Sequence, residues 1–260
     1  MNALRVTLVQ TPLHWENPIA NRSMLEETLE TITAGTDLIV LPEMFTTGFT
    51  MNPAPVAEPM NLTTTRWMQQ IAARYDAAVT GSFIVRDGSS YVNRLLWMEP
   101  DGSFDYYDKR HLFRMGGEHE VYAAGTRKVQ RTWRGWTVRP LICYDLRFPV
   151  WSRNVDNEYD LLLYVANWPA ARDYAWRSLL TARAIENQSY VVGVNRVGND
   201  GNGVFHEGSS GVIDFRGNWL TSPQESAFVH TVSLSKEDLS TFREGFPAYL
   251  DADDFEIKYL

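Results

Sequence analysis

Short apolar runs typical of buried strands alternate along this chain with longer segments whose apolar residues recur at helical spacing. The pattern predicts a strand over residues 4–10, a helix over 18–34 that stops at Gly35, and a helix over 63–75. The remaining predictions are strands over 37–41, 161–165 and 191–197, a helix over 171–187, and hairpin turns at 87–88, 101–102, 134–135 and 216–217. Helices separated by runs of mixed strands predict an α/β fold in which helices cover two packed sheets.

Composition narrows the class of protein. A chain of 260 residues without a linker, repeat or low-complexity tract predicts a single domain over residues 1–260. The net charge of −8 disfavours nucleic acid as a partner, because phosphate binding needs a basic surface. The one cysteine excludes an internal disulfide, and neither a signal segment nor a membrane-spanning run is evident. A cytoplasmic location without membrane association is the expectation.

Three apolar, strand-like segments each end in a reactive side chain. Glu43 follows residues 37–42, Lys109 follows a hairpin strand, and Cys143 follows Pro140-Leu141-Ile142. A base, a cation and a soft nucleophile suffice to split an amide through a thioester. Each residue also has an ordinary interpretation: a surface-turn glutamate, a solvated charge cluster and a small buried hydrophobe. Only their convergence in space would favour catalysis.

The segments that contain these residues resemble the signature segments of the nitrilase, or carbon–nitrogen hydrolase, superfamily. The resemblance lies in Leu41-Pro42-Glu43-Met44-Phe45, Lys109-Arg110-His111-Leu112-Phe113 and Cys143-Tyr144-Asp145-Leu146-Arg147-Phe148-Pro149, with further matches at residues 167–169, 182–188 and 208–210. The order and spacing are similar as well, and the likeness covers roughly residues 4–220.

Membership of that superfamily implies a four-layer α-β-β-α sandwich with two mixed central sheets. It implies a catalytic triad of Glu43, Lys109 and Cys143, and a second glutamate for which Glu118 and Glu120 are both candidates. It also implies at least a homodimer, paired through helices near the cysteine. The chemistry requires no metal and no organic cofactor.

The cysteine segment resembles the omega-amidase branch, which cleaves the terminal amide of short dicarboxylic acid monoamides such as 2-oxoglutaramate. Such substrates carry a distal carboxylate, for which Arg147 and Arg172 are the candidate partners. A structural ion pair is an equal alternative for Arg147. We expect the Tyr144 N–H to help hold the oxyanion, and Phe45 and Trp168 to wall the site. The proline-rich segment 52–61 is a candidate cover.

Several alternatives remain open at this point. Hydrolysis of an N-carbamoyl amino acid or of deaminated glutathione, acyl transfer to an amine, and a non-catalytic binding protein on the same fold are each compatible with the segments. None of the five histidines lies in a segment resembling a cysteine protease signature. The cluster of His111, Glu118, His119 and Glu120 matches no standard zinc spacing.

Overall fold

Two mixed β-sheets form the centre of the computed structural model, which describes residues 3–258. The strands are β1 Ala3–Gln10, β2 Leu38–Val40, β3 Ala78–Asp87, β4 Ser90–Met98, β5 Phe104–Asp108, β6 Arg131–Trp133, β7 Trp136–Ile142, β8 Leu161–Ala166, β9 Tyr190–Asn195, β10 Val197–Asn199, β11 Phe205–Glu207, β12 Gly211–Ile213 and β13 Phe228–Ser235. The helices are α1 Pro18–Leu29, α2 Thr63–Tyr75, α3 Glu118–Val121, α4 Pro149–Ser152, α5 Asp173–Glu186 and α6 Lys236–Gly245. Short 3-10 turns occupy Arg114–Gly116, Cys143–Arg147, Ala170–Arg172 and Ala248–Asp251.

The first sheet has the order β13-β1-β2-β3-β4-β5 and the second has the order β12-β9-β8-β7-β6. In each sheet three consecutive central strands are parallel, and antiparallel strands flank them on both sides. A small separate hairpin pairs β10 with β11. The parallel strands explain the continuous apolar runs in the sequence, because both faces of such strands are covered.

Alternation within the strands of the first sheet divides their side chains between two apolar layers. In β1, Leu4, Val6 and Leu8 join the large core that also contains the side chains of the second sheet, whereas Val9 joins a separate outer core. That outer core also holds buried side chains of α1 and α2, while α5 packs against the second sheet through Trp176, Leu180 and Ala184. The layers are therefore helix, sheet, sheet, helix, and the predicted four-layer sandwich is confirmed.

The largest error in the predicted elements is the length of the first helix. It ends at Leu29 and not at residue 34, where the sequence pattern placed its end. Gly35 is no helix stop: a Cβ there would lie 2.2 Å from the Arg5 guanidinium, so the glycine permits a close approach of the Arg5 side chain. The second helix, Thr63–Tyr75, has the predicted bounds.

Candidate active site

The ends of three strands bring the predicted triad together between the two sheets. Glu43 follows β2, Lys109 directly follows β5, and Cys143 directly follows β7. Glu43 and Lys109 therefore come from one sheet and Cys143 from the other. All three are buried, with exposed fractions of 0%, 1% and 9%. Side chains 100 positions apart in the sequence thus share one enclosed site.

Lys109 lies between two carboxylates. Its Nζ is 2.8 Å from Oε1 of Glu43 and 2.9 Å from Oε2 of Glu118. Glu118 also accepts a hydrogen bond from the Phe113 N–H, 2.5 Å away. Glu120 is exposed, with 75% of its side chain accessible, so Glu118 is the second glutamate in contact with the lysine. An ammonium has three N–H donors, and the two Glu118 oxygens, 3.0 Å and 2.9 Å from Nζ, can share one of them. With a second donated to Glu43, one remains for another acceptor.

Two asparagines fix the carboxylate of Glu43. Asn93 Nδ2 donates to Glu43 Oε1 over 2.9 Å, and the Asn167 N–H donates to Oε2 over 2.8 Å. The Asn167 side chain also donates to the Glu43 carbonyl. These bonds satisfy a fully buried carboxylate and fix its orientation, so neither oxygen depends on water. Neither asparagine is predicted from the sequence, although Asn93 is a buried polar residue in β4, next to the buried Arg94.

Cys143 lies at a sharp turn from strand to 3-10 helix. Its φ is +44°, a left-handed conformation that costs a non-glycine residue about 1–3 kcal/mol. The turn continues through Cys143–Arg147, and the Asp145 carboxylate accepts the N–H of Ile142 over 3.0 Å. The N–H groups of a first helical turn lack an acceptor within that turn, so the Tyr144 N–H is available to an oxyanion beside the sulfur.

Electrostatics determines the resting protonation of the site. Burial raises the pKa of the Cys143 thiol well above its ordinary value and the Glu43 carboxylate raises it further, although Lys109 has the opposite effect. Burial alone would lower the pKa of Lys109, but Glu118 and Glu43 outweigh it and raise that pKa. The resting site therefore holds a neutral thiol hydrogen-bonded to Glu43 and a charged ammonium. Attack by the sulfur requires a proton acceptor, and Glu43 is in place for that role.

A cavity of about 370 Å³ opens beside Cys143 and Lys109. Tyr144, Arg147, Trp168 and Arg172, all predicted to contact substrate, line it. The guanidinium carbons of the two arginines lie 4.9 Å and 5.3 Å from the ring centres of Trp168 and Phe113, respectively. Within residues 3–258 neither arginine has an ion-pair partner, which removes the structural alternative considered for Arg147.

The prediction that Phe45 walls the site is wrong. Phe45 is fully buried in the outer core beneath α2, with its ring 5.7 Å from that of Trp67. Met44 adopts a φ of +43°, and the Phe45 N–H donates to the Ser82 carbonyl, so the chain turns the ring away from the cavity. Phe49, four residues further on, lines the cavity instead.

The segment 52–61 does not cover the cavity. It runs beside β3, where Glu58 forms a bridge to Val85, and Val56 packs against a small apolar cluster around Tyr122. Met51 and residues of the hairpin formed by β10 and β11 line the cavity. The glycine-rich residues 198–203 are typical of a turn between strands, and that signal alone cannot place the hairpin at the cavity.

His206 belongs to the cavity wall and is 2% exposed. Burial and the nearby Arg196 cation lower the pKa of His206 to about 4. Its Nδ1 is 3.3 Å from the Gly198 carbonyl, to which the neutral ring donates. His206 is therefore a neutral group of the hairpin at physiological pH.

This shift predicts a specific loss of stability in acid. The pKa of His206 in the folded protein lies below its value of about 6.5 in the unfolded chain. The contribution of His206 to the free energy of unfolding is therefore complete above pH 6.5 and is lost as the pH falls toward 4. Between pH 7.5 and 4.5 we expect the free energy of unfolding of the wild type to fall by roughly 2–3 kcal/mol more than that of His206→Gln. Urea denaturation measures the difference. His230→Gln, at an exposed position, is the control and should follow the wild type; equal pH dependence in all three proteins would contradict the prediction.

Two properties of the described residues bear on other classes of protein. No helix between residues 3 and 258 is long and apolar enough to cross a membrane. In the same part of the chain, no group of three or more histidine, cysteine, aspartate or glutamate side chains could hold a metal ion.

A cysteine beside a glutamate–lysine–glutamate group, enclosed between the sheets of an α-β-β-α sandwich, defines a hydrolase of the nitrilase superfamily. Residues 5–244 match the carbon-nitrogen hydrolase family, and the chain belongs to that family. It is 50% identical to the protein named omega-amidase YafV of Escherichia coli K12, over 99% of this chain and 100% of the relative. It is 30% identical to a 2-oxoglutaramate amidase of Bacillus subtilis, over 95% of this chain and 96% of that protein.

A solved structure extends the comparison. XC1258 of Xanthomonas campestris, described as a CN-hydrolase superfamily protein with an arsenic adduct in the active site, superposes with a TM-score of 0.97 at 46% identity. The alignment covers 99% of this chain and 100% of that chain. The whole architecture is therefore shared, including the ends of strands at which the site lies.

Proposed function

We propose that the protein is an omega-amidase that hydrolyses the terminal amide of short dicarboxylic acid monoamides, with 2-oxoglutaramate as the substrate type. The observation that carries the proposal is the pairing of the Glu43–Lys109–Cys143 group with two guanidiniums, of Arg147 and Arg172, in one cavity. The triad suits an amide carbonyl and a guanidinium suits a carboxylate at the other end of the substrate. The relatives in Escherichia coli and Bacillus subtilis support the same activity.

The first half of the reaction forms a thioester. Glu43 accepts the thiol proton as the Cys143 sulfur attacks the amide carbonyl carbon. The oxyanion that develops accepts hydrogen bonds from the remaining N–H of Lys109 and from the Tyr144 N–H. Glu43 then delivers its proton to the leaving nitrogen, the carbon–nitrogen bond breaks and ammonia departs.

The second half uses the same groups with water as the nucleophile. Glu43 accepts a proton from water, whose oxygen attacks the thioester carbonyl within the same oxyanion site. The carbon–sulfur bond breaks, the proton returns to the Cys143 sulfur and the carboxylic acid leaves. Glu118 holds Lys109 in place throughout, since its two oxygens lie 3.0 Å and 2.9 Å from Nζ.

Arg147 is the better placed of the two candidate partners for the distal carboxylate. It lies on the same 3-10 turn as Cys143, and its guanidinium is stacked over Trp168, whose side chain is 3% exposed. This stacking pre-orders the planar fork for a bidentate contact. Arg172 lies on a later 3-10 turn and contributes a second positive charge to the cavity.

Replacing Arg147 by methionine should weaken the use of acidic amides selectively. A charged hydrogen bond contributes about 1.5–3 kcal/mol, so kcat/KM for 2-oxoglutaramate should fall by about 10–100-fold, mainly through KM. Turnover of a neutral amide of similar length should change little. Ammonia release measures both substrates. Arg177→Met, which changes a surface arginine paired with Asp173 on α5, is the control. Equal losses on both substrates would contradict the assignment of Arg147.

A substrate panel tests the proposed activity as a whole. We expect 2-oxoglutaramate to be cleaved with a higher kcat/KM than a long aliphatic amide, a nitrile, an N-carbamoyl amino acid or deaminated glutathione. Preference for any of these compounds would reject the omega-amidase assignment. Efficient transfer of the acyl group to an amine, in place of water, would instead identify an acyltransferase.

We also propose that the chain acts as one domain and assembles at least as a homodimer. Apolar side chains on α4 and α5, near the cysteine, support the assembly: Val150, Tyr174 and Ile185 are 54%, 82% and 52% exposed. Light scattering of the purified protein measures the mass directly, and a monomer at micromolar concentration would contradict the dimer. The cytoplasmic location stays a prediction.

A further inference from the structure

Asp145, two residues after the nucleophile, is a fully buried carboxylate that forms an ion pair with no lysine or arginine among residues 3–258. Its Oδ2 accepts the Tyr107 hydroxyl over 2.7 Å and the Ile142 N–H over 3.0 Å. Its Oδ1 accepts the His111 N–H over 3.0 Å and the His111 Nδ1 over 2.8 Å. Four hydrogen bonds to one side chain satisfy a charge that would otherwise be costly to bury.

These bonds connect the two segments that supply the oxyanion donors. Ile142 precedes Cys143 in the second sheet, whereas Tyr107 and His111 flank Lys109 at the end of β5 in the first sheet. One carboxylate therefore holds the Tyr107 side chain, before the lysine, and the His111 backbone and ring, after it, against the turn that presents the Tyr144 N–H.

The Tyr107 hydroxyl extends the same network. It accepts the Trp151 Nε1–H over 2.9 Å and the Arg110 N–H over 3.2 Å while donating to Asp145. Burial and the Asp145 charge raise the pKa of Tyr107 well above its ordinary value, so the hydroxyl keeps its proton and remains a donor. The His111 ring stacks on Phe148 with a centroid separation of 3.8 Å, which closes the network beside the cysteine turn.

We propose that Asp145 is the positioning residue of the oxyanion site, because it fixes the separation between Lys109 Nζ and the Tyr144 N–H. The inference rests on the proposed cysteine mechanism and adds a residue that touches no substrate. A displacement of about 1 Å in such a site can cost about 10²-fold in rate, so a residue that ties the two donors together controls kcat rather than substrate binding.

The test is Asp145→Asn. An amide side chain accepts hydrogen bonds only through its oxygen, so the groups at one of the two positions lose their acceptor: His111 at Oδ1, or Tyr107 and Ile142 at Oδ2. We expect kcat for 2-oxoglutaramate to fall by about 10–100-fold, with KM changed less than threefold. Tyr107→Phe removes one of the four bonds and should lower kcat by a smaller factor. It keeps the inference testable should Asp145→Asn fail to fold.

Asp160→Asn is the control that shows what the loss of a buried carboxylate does when it lies away from the oxyanion site. Asp160 accepts the Thr137 N–H over 2.8 Å and contacts Lys236 over 2.7 Å, and it directly precedes β8 at the end of the second sheet away from Cys143. We expect this variant to lower the melting temperature without lowering kcat. A wild-type kcat in both Asp145→Asn and Tyr107→Phe would overturn the proposal, as would an equal fall in kcat in Asp160→Asn.

Acylation of Cys143 by a p-nitrophenyl ester tests the positioning role of Asp145 independently of which amide is the natural substrate. The burst of p-nitrophenol reports attack by Cys143 and use of the oxyanion site whatever amide the enzyme prefers. We expect the burst rate of Asp145→Asn to fall by the same factor as its kcat. Suppose that the wild type does not cleave 2-oxoglutaramate but that the burst of Asp145→Asn is slower than that of the wild type. This result would reject the substrate assignment and retain the positioning role. A wild-type burst rate in Asp145→Asn would reject the positioning role alone.

Discussion

Replacing Cys143 by alanine should reduce ammonia release from 2-oxoglutaramate by more than about 10⁴-fold, since removing the nucleophile of a covalent mechanism leaves only binding and the oxyanion site. The fold should persist, because alanine is smaller than cysteine and any non-glycine residue experiences the same strain at a φ of +44°. Steady-state ammonia detection and a thermal melt measure the two properties on the same sample.

The composition of the chain makes the associated labelling experiment unambiguous. Cys143 is the one cysteine among 260 residues, so incorporation of a thiol reagent reports on that position alone. Alkylation of the wild type should abolish activity in proportion to the label incorporated, and substrate should slow the labelling. Undiminished ammonia release by fully labelled wild type, or by Cys143→Ala, would reject the mechanism.

Replacing Glu43 by glutamine should have the second largest effect and should change two properties in different ways. Turnover should fall by about 10²–10⁴-fold, because glutamine cannot accept the thiol proton or return it to the leaving group. The pKa of the Cys143 thiol should fall, because the Glu43 charge raises it in the wild type whereas Lys109 lowers it. The variant would thus be a poorer enzyme with a more acidic thiol.

The pH dependence of alkylation by iodoacetamide measures that change directly. The inflection for Glu43→Gln should lie at lower pH than that of the wild type. Glu120→Gln is the control, since its exposed side chain lies two positions beyond Glu118 and touches neither Lys109 nor Cys143, and it should leave turnover and the inflection unchanged. An unshifted inflection, or near-normal turnover in Glu43→Gln, would show that the glutamate is not the base.

The sequence could predict where Glu43 and Cys143 lie because each follows an apolar strand, whereas Lys109 follows β5, an edge strand with exposed and half-buried side chains. Strands with both faces covered give continuous apolar runs, and a polar residue immediately after such a run lies at the edge of the sheet. Strand and hairpin signals predict Glu43, Lys109 and Cys143, whereas the family resemblance alone implies a second glutamate, with Glu118 and Glu120 as candidates. Burial of the first and exposure of the second distinguish them, and neither property is encoded in a local pattern.

The errors arise where the chain leaves regular structure. Phe45 lies two residues from Glu43, but after the positive φ at Met44 its ring is buried in the outer core and does not face the cavity. Segment 52–61 was assigned as a cover from its prolines, whereas its neighbours in space are β3 and Tyr122. Proximity along the sequence does not fix the direction of a side chain once strand alternation ends.

The C-terminal elements, β13 and α6, carry local sequence patterns that are sufficient to predict them. In β13, Val232 and Leu234 are buried and alternate with more exposed residues, as expected for a strand that is covered on one face. Ser235 caps α6 by accepting the Asp238 N–H over 3.1 Å, which is a readable start signal for a helix. Both elements could have been predicted from the local sequence.

Partition of the acyl group between water and hydroxylamine is the most direct test of the thioester at Cys143. An amide and an ester with the same acyl group should give the same ratio of hydroxamate to acid at a fixed hydroxylamine concentration, because both pass through one acyl-enzyme. Ratios that differ between the two leaving groups, or acid formation without hydroxamate from either substrate, would contradict the account.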